Sequence, residues 1–128
     1  MLGDFPIRPV LLSKDLAATR AFYHDRLGFE IIVEMPERIE FRAGDTSFIV
    51  THSTVGTADR QTQARFEVPD LKAALADLRA RGVRIEEYEL PDPPTTDGIA
   101  DMGFAWAAWF IDPGDNAIAV IEIKDTDA

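Results

Sequence analysis

The chain has 128 residues, 46% hydrophobic and 28% charged, with a formal net charge of −10 and no cysteine. That length suits a single domain, residues 1–128, that buries a core without staples. The missing cysteines exclude disulfides, thiolate nucleophiles and thiolate-bound metals. Residues 1–60 hold 7 basic and 9 acidic side chains and residues 61–128 hold 6 and 14, so nucleic acid would meet net repulsion and no basic stripe. The opening MLGDFPIRPV has neither the basic region nor the long apolar run of a signal peptide, and no stretch reaches membrane-spanning length. The expectation is a cytoplasmic protein with no membrane partner.

Strands are expected at 7–13, 29–34, 38–43, 46–51, 64–69, 84–89, 104–111 and 117–123, and helices at about 16–26 and 71–81. The helices carry apolar stripes, Leu16, Thr19, Phe22, Tyr23 and Leu27 in the first and Leu71, Ala74, Leu75 and Leu78 in the second. Asp15 and Asp70 stand at the N-cap positions, and Gly28 and Gly82 follow the helices where a left-handed cap is needed. Asp15-Leu16 and Asp70-Leu71 align at an offset of 55, whereas AGDTSFIV at 43–50 and PGDNAIAV at 113–120 align at 70. Two βαβββ modules follow, about 6–52 and 62–124, with an insertion in the second. LPDPPTTDGIADMG, residues 90–103, holds that insertion and is rich enough in proline and glycine to predict no regular structure. It is expected to border the binding site or to form a surface excursion.

The combination of DLAATRAFYHDRLGFE at 15–30 with DPGDNAIAVIE at 112–122 resembles the vicinal oxygen chelate superfamily, which includes glyoxalase I, extradiol dioxygenases and bleomycin-resistance proteins. The resemblance runs from about Pro6 to Ile123. It implies an α+β fold whose paired modules form curled mixed sheets around a cup, and a homodimer. The superfamily's metalloenzymes take ligands from four strand positions, which fall here on Arg8, Ile49, Gln63 and Ala119. Arginine has no acceptor, and isoleucine and alanine offer no lone pair, so neither a metal nor any other cofactor is expected.

Strand alternation then lists what would face a ligand. Arg8, Val10 and Leu12 share one side of the first strand; Gln63, Arg65 and Glu67 share one side of the fifth. Charges there must pair with each other, reach solvent or meet a ligand, because an isolated buried charge costs several kcal/mol. Trp106 and Trp109, three apart, face opposite ways, and Trp109 is expected in the pocket. Tyr88 is a further aromatic candidate, whereas Phe41 belongs in the core. Glu122 falls on the face opposite Ala119 and reads as surface or structural. His24 reads as an exposed helix residue, His52 as a rim residue without ligand spacing, and Ser13, Ser47 and Ser53 lack a nucleophile's setting. No catalytic residue emerges. The candidate ligand-binding set is Arg8, Gln63, Arg65, Glu67 and Trp109, and the expected partner is a small organic molecule. The function expected is metal-free binding, as in bleomycin-resistance proteins. The alternatives are a glyoxalase-like lyase or isomerase, using Glu67 as base and an arginine as anion holder, and an inactive structural relative.

Overall fold

The structure, a computed structural model, describes residues 1–54, 61–89 and 94–124. It falls into two compact units, Met1–Asp59 with Pro113–Asn116, and Arg60–Asp112 with Ala117–Ala128.

In the first unit, β1 (Val10–Ser13) leads to α1 (Leu16–Arg20), which continues as a π-helical turn (Ala21–Arg26). Three strands follow, β2 (Ile31–Met35), β3 (Arg38–Ala43) and β4 (Thr46–His52), and the sheet order is β1-β4-β3-β2. β1 runs parallel to β4 and the other pairs are antiparallel. The first strand is shorter than expected because Pro6 and Pro9 cannot donate to a ladder, although the Pro9 carbonyl still accepts from Ile49 N–H. Asp15 caps α1 through Ala18 N–H at 3.0 Å. Gly28 ends the turn at φ +81°. The helix stripe buries Thr19, Phe22 and Tyr23, and Tyr23 packs at ring-centroid distances of 5.0–5.8 Å against Phe22, Phe29, Phe41 and Phe48.

In the second unit, β5 (Thr62–Glu67) is followed by α2 (Leu71–Ala80), capped by Asp70 through Ala73 N–H at 3.1 Å. A hairpin of β6 (Thr95–Thr96) and β7 (Ile99–Asp101) precedes β8 (Ala105–Ile111) and β9 (Ala117–Ile123), in the order β5-β9-β8-β7-β6. Leu71 and Leu75 bury the helix face.

Three expectations need correction. The sheets are open, not curled around a cup. Each has two edge strands and only four or five members, where closure into a barrel takes about eight. Each also holds a single register irregularity, between Ile31 and Val33 and between Thr62 and Ala64, so there is little to bend it. Second, the insertion is not structureless. Residues 90–93 lie outside the described residues, but Thr95–Asp101 forms a hairpin around Asp97 and Gly98, both at positive φ (54° and 82°). That is a type I′ turn, the geometry an Asp-Gly pair favours. Third, 84–89 forms no strand. β7 takes the free edge of β8 at Ala107 and Trp106, leaving this segment isolated contacts: Glu86 N–H donates to the Trp109 carbonyl and the Tyr88 carbonyl accepts from Thr95 N–H, both at 2.8 Å.

Candidate small-molecule site

The alternation TQARFE makes β5 a half-buried strand, with exposed Arg65 and Glu67 between partly buried Ala64, Phe66 and Val68. The bulge near its start changes the parity. Thr62 pairs with Ala117, Ala64 with Ile118 and Arg65 with Ala119, so Thr62 shares the face of Arg65, Glu67 and Ala119. Gln63, expected on that face, is the extra residue; it is exposed, and its amide donates to the Gln61 carbonyl at 3.0 Å. One inserted residue reverses which side chains look the same way.

Across the sheet, Ala119 pairs with Trp109, giving a row Arg65–Ala119–Trp109. Strands about 4.8 Å apart put the arginine and tryptophan backbones about 10 Å from each other, with a methyl group between them. The Trp109 ring packs over a buried cluster of Ala105, Ala107, Ala119 and Ile121. Its indole N–H donates to the Thr62 hydroxyl at 3.1 Å, and Tyr88 meets it edge to face at 5.7 Å. Arg65 and Glu67 pair at 3.3 Å with both side chains about half exposed. In that setting the pair contributes little to stability and leaves the guanidinium free to exchange partners. The structure therefore brings together Arg65, Glu67 and Trp109, adds Thr62 and Tyr88, and turns Gln63 away. Arg8 belongs to the first unit, ahead of β1, and is exposed.

The strand positions that the resemblance assigns to metal ligands do not fit an ion here. Ala119 lies under the Trp109 ring, Ile49 pairs with Val10 and Glu40, and Gln63 bonds its own backbone neighbour. Among the described residues no three His, Cys, Asp or Glu side chains cluster to hold an ion. His24 is not on an open helix face: it is half-buried, with Nδ1 2.8 Å from the Phe29 carbonyl, so it closes the helix end. His52 is exposed at the end of β4. Ser13 is buried, donating to the Asp15 carbonyl and accepting from Thr19 Oγ1, and Ser47 donates to Glu40 at 2.6 Å. None of these is an activated nucleophile.

The opposite face of the second sheet carries Trp106 and Glu122, paired across β8 and β9. Glu122 is structural: its carboxylate accepts the Leu71 N–H at 2.8 Å and satisfies an orphan amide at the start of α2. A groove of about 1120 Å³ opens here between α2 and the β6–β7 hairpin, and its tryptophan is Trp106 rather than Trp109. Two carboxylates pin the hairpin. Glu87 accepts from Thr95 Oγ1 at 2.7 Å and Gly98 N–H at 2.9 Å, which together hold its pKa below the ordinary carboxylate value. Asp101 accepts from Lys124 at 2.6 Å and Gly103 N–H at 2.9 Å, and its pKa is lowered in the same way.

The model of the Glyoxalase/Bleomycin resistance protein/Dioxygenase superfamily matches residues 7–120, and the chain belongs to that superfamily. Among solved structures, a bleomycin resistance determinant encoded on the transposon Tn5 is similar, with a TM-score of 0.70 at 20% identity, covering 94% of this chain and 99% of that one. A glyoxalase/bleomycin resistance protein/dioxygenase from Alicyclobacillus acidocaldarius gives a TM-score of 0.72 at 16% identity, covering 95% and 93%. Lactoylglutathione lyase from Agrobacterium tumefaciens gives 0.66 at 17% identity, covering 92% of each chain. These likenesses establish a shared fold. No curated protein matches the chain by sequence.

Proposed function

We propose that the chain is a metal-free small-molecule binding protein whose ligand lies on the face of the second sheet bearing Thr62, Arg65, Glu67 and Trp109. The observation that carries this reading is the Arg65–Ala119–Trp109 row. It sets a half-exposed guanidinium beside a partly buried indole, with no metal donor at the position between them. An aromatic or conjugated carboxylate fits: the ring would lie against the apolar floor, and the carboxylate would exchange with Glu67 for the fork of Arg65. A solved bleomycin-binding protein complexed with bleomycin, 20% identical over 94% of this chain, shares the fold and supports binding as a use for it. No helix among the described residues is long and apolar enough to cross a membrane. We place the protein in the cytoplasm on its cysteine-free composition, with no nucleic-acid partner on its charge, and as a homodimer. Exposed Leu2, Phe5 and Ile7 near the start of the chain support the dimer.

A thermal-shift screen over aromatic carboxylates and aromatic antibiotics tests the site. A hit should lose about 1.5–3 kcal/mol of binding when Arg65→Ala removes a charge-assisted hydrogen bond. It should quench Trp109 fluorescence in a Trp106→Phe background. Full-strength binding by Arg65→Ala and Trp109→Phe alike would place the ligand elsewhere. Turnover of the same hit without added metal would move the reading from binding protein to enzyme.

A further inference from the structure

The insertion that shifts the repeat from 55 to 70 residues builds a second concave surface, independent of the face just discussed. A helix is about 10 Å across and spans roughly two strands. In the second unit the hairpin widens the sheet to five strands beyond a single ten-residue helix. The uncovered strip becomes the groove, with Leu75 and Arg79 on one wall, Ile99 and Asp101 on the other and Trp106 on its floor. Trp106 is 38% exposed. Four carboxylates line the groove, Asp70, Asp97, Asp101 and Glu122, against two cations, Lys72 and Arg79.

A positively charged group already sits against two of the lining residues. The Lys124 ammonium lies 4.1 Å from the centre of the Trp106 ring and 2.6 Å from Asp101 Oδ1. An aromatic face and a carboxylate converging on one ammonium is the arrangement by which proteins recognise organic cations. Here the chain fills it from its own β9 end. We infer that this groove binds an amphipathic organic cation, whose ammonium replaces Lys124 Nζ between Trp106 and Asp101 while its apolar body lies along Leu75 and Ile99. Lys124 is then an internal competitor that keeps affinity low, while the carboxylates of the groove disfavour anionic molecules. The acidic excess of residues 61–128 draws cations toward this half of the chain.

The test is titration of ¹⁵N-labelled full-length protein with 2-phenylethylammonium, 2-phenylethanol and 3-phenylpropionate, read at the Trp106 indole N–H, which Trp106→Phe assigns. The ammonium should give a saturable shift, with little response to the alcohol and none to the carboxylate. Lys124→Met keeps the methylenes over the ring but removes the charge, and should tighten binding of the ammonium at least threefold. Asp101→Asn in the Lys124→Met background should weaken it about tenfold. The proposal is overturned if Lys124→Met binds no better than the native chain, if the alcohol binds as well as the ammonium, or if no variant responds at millimolar probe. Arg65→Ala should leave this titration unchanged; a loss there would assign the probe to the other face and overturn the groove.

Discussion

Replacing Gly114 by alanine isolates what the turn after β8 does. The turn PGDN belongs to the first unit, and Gly114 and Asn116 are both buried there. A methyl group built on Gly114 would lie 2.1 Å from the Leu12 carbonyl oxygen and 2.9 Å from Asn116 Nδ2. The first contact is with backbone, so no side-chain rotation relieves it. Asn116 Nδ2 donates to that same Leu12 oxygen at 2.8 Å, and the bond cannot survive a shift large enough to admit the methyl group. Overpacking costs about 1–3 kcal/mol, and a buried amide left without its acceptor about 1–3 more. The expected loss is therefore about 2–5 kcal/mol, a large part of the roughly 5–15 kcal/mol that holds an ordinary domain together.

Gly44→Ala is the control within the same unit. Nothing lies within 4 Å of its built methyl group, and its φ of +60° charges only the left-handed penalty, about 1–2 kcal/mol. Urea unfolding of both variants, followed by circular dichroism and analysed at common slope, gives the comparison. The steric argument fails if Gly114→Ala costs no more than Gly44→Ala. It also fails if Asn116→Ala, which removes the donor, is within about 0.5 kcal/mol of the native chain, since loss of a buried hydrogen bond should exceed that.

Thr62→Val should cost about 1 kcal/mol by leaving the Trp109 indole N–H without its 3.1 Å acceptor. It should also alter Trp109 emission in a Trp106→Phe background; unchanged emission would count against the bulge register. The Glu87 and Asp101 pKa values are lowered in the folded chain, so their contribution to hairpin stability is complete above the unfolded carboxylate pKa, near 4, and is lost as pH falls through the folded values. Hydrogen exchange should show Thr95–Asp101 losing protection on acidification before β8 and β9, and simultaneous loss would refute local control by these two groups. Sedimentation at micromolar concentration should show a particle of twice 14.2 kDa; a single species at the chain mass would rule out the homodimer.

Much of this fold is legible from short-range chemistry. Asp15 and Asp70 cap their helices, and Gly28 and Gly82 end them at φ +81° and +83°, because capping is decided within a few residues. The site is less legible for two physical reasons. The bulge at Thr62–Ala64 depends on pairing with β9, some fifty residues away, and nothing in TQARFE announces it. Parity counting therefore selects Gln63 and passes over Thr62. The hairpin at 95–101 has a local signal in Asp97-Gly98, and the prolines that make residues 90–103 look irregular all precede Thr95. Once that hairpin forms, its pairing with β8 also explains why 84–89, strand-like in composition, gains no ladder of its own.

The alanines beneath Trp109 decide what a carboxylate introduced among them can do. Ala105, Ala107 and Ala119 are buried to 4% exposure or less, and the Trp109 ring packs on them. Larger side chains in this row would lift the ring from its floor and from Thr62. Ala119→Glu places a carboxylate at one of the positions that the resemblance assigns to a metal ligand, and a count of donors alone predicts an ion site. The local packing predicts the reverse. A glutamate there must displace the indole or bury its charge among methyl groups, and burial of an unpaired carboxylate costs several kcal/mol. Arg65, one strand away in register, is the nearest compensation, and pairing with it would take the guanidinium from both Glu67 and an incoming anion. Ala119→Glu should therefore lower the unfolding midpoint, abolish carboxylate binding and acquire no affinity for zinc or nickel. Calorimetric titration with either metal decides it: a one-to-one site of micromolar affinity in Ala119→Glu would mean that the donor set fits a metal after all.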